Sequence, residues 1–208
     1  MLFNSYVFVL LFFPLCLIGY FTLNRFKKYS MAQMFLFGMS LWFYGYFNPG
    51  YLLIIVSSIL LNYGVYRLLE KQRGKKCHKT IMIAGVVMNV CILIYFKYMD
   101  FFIENINMVF GQKFDLLHIL LPLGISFFTF QQISFIVDAY RGEIPEYGFI
   151  EYACFVSYFP QLIAGPIVTH DELIPQFKDE EKKHFNPDNF AQGLFMFTLG
   201  LAKKVLLA

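Results

Sequence analysis

Four apolar runs, residues 3–23, 31–47, 51–69 and 80–98, leave this chain few folds to adopt. Each is about long enough to cross a hydrocarbon core of roughly 30 Å. Inside lipid no water is available to a free N–H or C=O, so only helices and closed barrels span it. The runs show no apolar–polar alternation, which argues against barrel strands and predicts four transmembrane helices. Composition agrees, with 58% of the 208 residues hydrophobic and 15% charged, against about a quarter charged in soluble domains. The expected fold class is all-α: a polytopic transmembrane helical protein, with the lipid bilayer as its first partner.

The net charge of +3 is small, and its carriers fall in loops, which excludes a nucleic-acid-binding face. Arg25, Lys27 and Lys28 follow the first run, and Arg67, Lys71, Arg73, Lys75, Lys76 and Lys79 follow the third. The intervening turn, Asn48-Pro49-Gly50, has no charge. The positive-inside rule then makes the basic loops cytoplasmic and puts the N-terminus outside. The first run lacks a basic n-region and a cleavage site, so it reads as an uncleaved span, with Pro14 expected to bend it. Cys16, Cys91 and Cys154 lie in apolar runs and read as small packing residues. Cys77 sits in a basic loop, and the cysteine spacing indicates neither disulfide nor metal.

Beyond Lys97 the pattern changes. Residues 101–110 are apolar but short and contain Glu104 and Asn105, which predicts an interfacial helix. Residues 120–137 are long enough to cross yet carry Pro122, Gly124, Gln131 and Gln132. In the following run, YFPQLIAGPIV, four residues interrupt the apolar pattern: Pro160, Gln161, Gly165 and Pro166. Pro160 deprives an upstream carbonyl of its partner, and Gly165-Pro166 ends regular helix again. Such backbone is tolerated at membrane depth only inside protein or beside a water-filled cavity. Broken or re-entrant helices are therefore expected here. Residues 170–189 read as a charged loop with a short helix. Residues 190–208 begin a helix in which the chain ends, as expected of the N-terminal part of a longer protein.

Polar residues within the apolar runs are the candidates for function. Asn62, one turn after Ser58, fits a helix–helix hydrogen bond worth roughly 0.6–2 kcal/mol, or the lining of a cavity. Gln131 and Gln132 lie about 100° apart on a helix, so at least one is expected to face a polar cavity or broken-helix backbone. Asp138 and Arg141, three residues apart, share a face and can pair at the membrane edge. Gln161 can satisfy a group freed by Pro160. His78 and His184 sit in charged loops, and His118 precedes an apolar run. His170, in VTHDEL, is the best placed, though a first helix turn is the simpler account of it. The sequence contains no evident Ser-His-Asp arrangement, metal cluster or phosphate-cradling glycine loop.

The segment LPLGISFFTFQQISFIVDAYRGE followed by FPQLIAGPI resembles the membrane-bound O-acyltransferase family, in particular its alginate O-acetyltransferase branch. FNSYVFVLLFFP, ILIYFKYMDFF and GLAKKVLLA resemble the same branch, so the likeness covers nearly the whole chain. The resemblance implies a protein about twice this length, of which residues 1–208 form the N-terminal part of a single membrane-embedded acyltransferase domain. It implies a bacterial inner-membrane enzyme that moves an acetyl group from a cytoplasmic donor, acetyl-CoA, to an extracytoplasmic polysaccharide or cell-wall acceptor. It also implies a separate extracytoplasmic acetyltransferase partner and no bound cofactor. The family's essential histidine belongs to its second half and has no match here, so no catalytic residue is expected in this chain. What carries over is scaffold: Pro122, Gly124, Gln131, Asp138, Tyr140, Arg141 and the break from Pro160 to Pro166 as tunnel wall, joined by Asn62 and Gln132. A basic residue often follows GPI in the branch, where this chain has Val168-Thr169-His170. The alternative from another class is a transporter or channel with a broken-helix solute site. A third reading is a short non-catalytic membrane subunit.

Overall fold

The computed structural model describes residues 1–46, 48–111, 113–162 and 168–206, and within them nine α-helices and no strand. The first run is helical but not uniform. Phe8–Phe12 form a π-helical turn, closed by the Phe13 N–H on the Phe8 carbonyl, that leads into α1, Phe13–Arg25. Proline lacks an N–H, and its ring crowds the carbonyl four residues back. A wider turn upstream of Pro14 accommodates both, so the distortion expected at Pro14 takes this form.

Helix α2, Tyr29–Gly45, returns antiparallel to α1, and α3, Gly50–Lys71, follows a turn in which Asn48 Oδ1 accepts the Gly50 N–H at 2.9 Å. Among the described residues three helical stretches are long and apolar enough to cross a membrane: Phe8–Arg25, Gly50–Lys71 and His78–Phe110. The second expected span is shorter, because α2 has 17 residues and reaches only about 26 Å.

Helix α4, His78–Phe110, corrects another expectation. Its 33 residues run without a break through Lys97, Asp100 and Glu104, so no separate interfacial helix forms at 101–110. The polar residues do not stop it because they serve the segment that follows. Asp100 accepts the Leu117 and Ile119 N–H groups at 2.8 and 3.2 Å, and Asn107 bonds both backbone groups of Phe114. Gly111, with φ +62°, caps the helix and turns the chain back along it. Only 11% of α4's apolar window is buried, which leaves most of its surface for lipid. Cys91 lies on that outward surface, whereas Cys16 and Cys154 pack inside as expected.

Helix α5, Ile125–Arg141, begins later than the apolar run. Gly124 has φ +70°, a left-handed conformation that ends the lead-in turn, and Pro122 O accepts the Ile125 N–H. Helix α6, Phe149–Ser157, and the short α7, Phe159–Leu162, follow. They are separate because Pro160 has no N–H to continue α6. Helix α8, His170–Lys178, a 3₁₀ turn at Glu181–Lys183 and α9, Pro187–Leu206, complete the chain. Phe12, Phe43 and Phe159 meet with ring centroids 5.1–5.6 Å apart, which fastens α7 to the π-helical turn and α2.

Candidate functional site

Helix α5 is the axis of the site, and its polar side chains leave it in two directions. On one side Gln132 enters a fully buried amide cluster with α3 and α4. Its Oε1 accepts from Ser58 Oγ and Asn62 Nδ2, both at 2.7 Å. Asn62 and Asn89 exchange hydrogen bonds, and Asn89 Nδ2 also donates to Gly85 O at 2.9 Å. Gly85 permits the close approach, since a Cβ there would lie 2.8 Å from Val65. Asn62 thus takes the helix–helix role, and Gln132 Nε2 is buried without a hydrogen-bond partner.

On the other side α5 holds the segment containing α6 and α7. That segment leaves the C-terminal end of α5 through Gly142–Gly148. There Arg67 lies 3.5 Å from Glu146, and the Tyr147 N–H donates to the Tyr66 hydroxyl at 3.2 Å. By Leu162 it has reached the other end of α5, where a Cβ on Gly124 would sit 2.6 Å from the Leu162 carbonyl oxygen. By Val168 it is halfway back, its carbonyl accepting from Gln131 Nε2 at 3.4 Å. By His170 it has returned to Asp138, with His170 Nε2 3.4 Å from Asp138 Oδ2. The flanks of the segment therefore start and finish at one end of α5, which makes it re-entrant. Gly165 and Pro166 lie outside the described residues.

The adjacent glutamines thus behave as the helix period requires, one on the broken segment's backbone and one in the amide cluster. Asp138 and Arg141 stand 4.0 Å apart, at the limit of ion pairing. Closer to Asp138 are Ser134 Oγ at 3.2 Å and His170. Ser134, Asp138 and His170 do not form a nucleophilic triad, because serine and histidine both converge on the same carboxylate oxygen. His170 is 5% exposed, its ring edge-on to Phe135 and Tyr147, and its Nδ1 is buried without a partner among the described residues. It occupies the first turn of α8, as expected from sequence, but its burial against Asp138 was not foreseen. Pro160 is exposed on α7 and Gln161 is half-buried beside it. Tyr140 stacks on His78 with centroids 4.8 Å apart, and Pro122 turns the chain into α5.

Charged residues at the open end of the segment tie it further. Lys178 bridges to Glu151 at 3.1 Å and lies over the Tyr147 ring. Burial pushes the Tyr147 phenol up from its ordinary value, and a hydrogen bond from Thr169 holds the Asp171 carboxyl below its own. Among the described residues no group of three or more His, Cys, Asp or Glu is placed to hold a metal ion.

Residues 140–208 match the model of the membrane-bound O-acyltransferase family. The whole chain aligns with a peptidoglycan O-acetyltransferase of Helicobacter pylori, 39% identical over 44% of that protein. It aligns equally fully with a probable alginate O-acetylase AlgI of Pseudomonas aeruginosa, 38% identical over 40% of its length. A probable AlgI of Azotobacter vinelandii is 35% identical over 42%. The chain thus spans about two fifths of the length of the curated relatives it matches. No solved structure matches it. The family model covers α8, α9 and the segment before them, the relatives align with the whole chain, and the chain is thus similar along its full length to the N-terminal part of membrane-bound O-acyltransferases.

Proposed function

We propose that residues 1–208 belong to a single membrane-embedded domain that transfers an acetyl group from acetyl-CoA on the cytoplasmic side to an extracytoplasmic polysaccharide or cell-wall acceptor. One observation carries this reading: the whole chain aligns with a protein named peptidoglycan O-acetyltransferase. In the reaction an acceptor hydroxyl attacks the thioester carbonyl, its proton passes to a general base, and the CoA thiol leaves. The resemblance puts that base, a histidine, in the part of the family not covered here.

The share of this chain is enclosure. The re-entrant segment, held by Gly124, Gln131 and Asp138, narrows the membrane beside α5 and forms part of a tunnel wall. A wall at this place keeps the acetyl group from bulk water and aligns donor with acceptor. The amide cluster of Asn62, Asn89 and Gln132 fixes α5 against α3 and α4, so that the wall has a rigid backing. Arg141, Pro160, Gln161, Gly165 and Pro166 complete the scaffold. Basic loops at the open end of the segment favour an inner-membrane orientation with that end cytoplasmic and the N-terminus outside. A separate extracytoplasmic protein then completes delivery to the polysaccharide.

The test uses the full-length protein together with its extracytoplasmic partner in sealed vesicles, with labelled acetyl-CoA on one face and the polysaccharide on the other. Label is expected to reach the polysaccharide only when acetyl-CoA is supplied on the face carrying the basic loops. Transfer no greater than in protein-free vesicles would contradict acetyl transfer. Transfer only when donor and acceptor share a face would contradict the transmembrane route.

A further inference from the structure

Away from α5, between α1 and α9, the surface is cut by a groove of about 750 Å³. One wall follows the π-helical turn and α1 through Val9, Phe13, Leu17 and Phe21 to Arg25, about 24 Å of helix rise. The opposite wall is Leu194 and Phe197 of α9. Two aromatic contacts hold the walls together: Phe13 stacked on Phe197 at 6.4 Å and Phe21 edge-on to Phe185 at 5.5 Å. The lining is apolar for most of its length and basic at one end, where Arg25 and Lys183 lie with His184.

That end is at the membrane surface, because the spanning stretch Phe8–Arg25 terminates there. Arg25 is exposed and has no ion-pair partner among the described residues, while Lys183 lies 4.2 Å from the Tyr29 ring centroid. Lys182 is already paired with Asp179 at 3.8 Å, and Glu181 lines only the adjoining cleft. The mouth therefore offers two uncompensated cations at headgroup depth, above a slot that runs past the middle of a hydrocarbon core of about 30 Å. An apolar slot of this size is not left empty in a bilayer, and basic pockets between transmembrane helices at this depth bind anionic lipid headgroups.

We propose that the groove holds one acyl chain of an anionic phospholipid, with its phosphate between Arg25 and Lys183. Guanidinium can take two phosphate oxygens at once, and the ammonium supplies a point charge beside it. The groove does not involve α5, although its walls Phe13 and Phe197 also border a cleft with Phe159 and Pro160 of α7.

The test is native mass spectrometry of the full-length protein in mild detergent with added phosphatidylglycerol or phosphatidylethanolamine. Phosphatidylglycerol should be retained at least about tenfold more strongly, and inorganic phosphate at equal concentration should not displace it. Arg25→Gln with Lys183→Gln should bring its retention down to that of phosphatidylethanolamine. Leu194→Trp, which fills the slot, should abolish retention of both, with the unfolding midpoint in lipid-free detergent unchanged. Equal retention of the two lipids would overturn the proposal, as would phosphatidylglycerol binding that neither variant alters. Displacement by inorganic phosphate would make this an ion site and overturn it too.

Discussion

Gln131 and Gln132 carry different loads although they are neighbours. Gln132 accepts two hydrogen bonds at 2.7 Å inside a cluster closed to lipid and water, and Gln131 makes one long bond of 3.4 Å. Removing Asn62, which links both other helices, leaves Asn89 Oδ1 without a donor and takes one of the two donors from Gln132 Oε1. Buried groups stranded in this way cost about 1–3 kcal/mol. Asn62→Ala is therefore expected to lower the free energy of unfolding in detergent by about that amount, and Gln131→Ala by less than about 1 kcal/mol. Equal losses in denaturant titrations would show that the cluster is not the stronger tie. Gly124 is less tolerant still. A side chain there meets the left-handed φ, at about 1–2 kcal/mol, and also the Leu162 carbonyl at 2.6 Å. Gly124→Ala should accelerate amide exchange in α7 while leaving α3 and α4 unchanged; uniform acceleration would count against a local contact. At this scale the sequence revealed the i,i+3 spacing of Asp138 and Arg141 and the divergence of the two glutamines. It did not reveal that Asp138 meets His170, because that contact closes across a hairpin of 32 residues and has no periodic signature.

At the level of elements, long apolar runs located the first four helices, and Pro160 located the break between α6 and α7. Two boundaries were hidden for a common reason. Polar and charged residues normally signal a helix end or an interface, yet Asp100 and Asn107 are retained in α4 because they bind the backbone of 114–119. Gly124, embedded in an apolar run, displaces the start of α5 because only its φ sign matters, and composition does not encode that. Asp100→Ala should therefore free the segment after α4 without shortening the helix. Exchange at the Leu117 and Ile119 amides is expected to rise at least about tenfold, equivalent to about 1.4 kcal/mol of lost protection. Loss of helix across 101–110 in the same variant would show instead that the carboxylate holds α4 together.

For the molecule as a whole, the family could be read from two motifs that fold into one structure. LPLGISFFTFQQISFIVDAYRGE builds α5 and its turn, and the described part of FPQLIAGPI, Phe159–Leu162, forms α7 in the segment that packs along it. The physical content of the resemblance is thus a re-entrant segment clamped to a helix by Gly124, Gln131 and Asp138. Periodicity alone suggested only a broken helix, equally suited to a transporter, since it contains no information about which helix the break lies against. The account depends on that segment entering and leaving the membrane on one side. The direct measurement is side-specific cysteine labelling of the full-length protein in sealed vesicles, scored site by site by peptide mass spectrometry, with Glu146→Cys, Lys178→Cys and Asn48→Cys. Exposed Cys77, in the basic loop, is the internal reference. Positions 146 and 178 are expected to react from the same face as Cys77, and position 48 from the opposite face. Labelling of 146 and 178 from opposite faces would make the segment a full crossing and contradict the account.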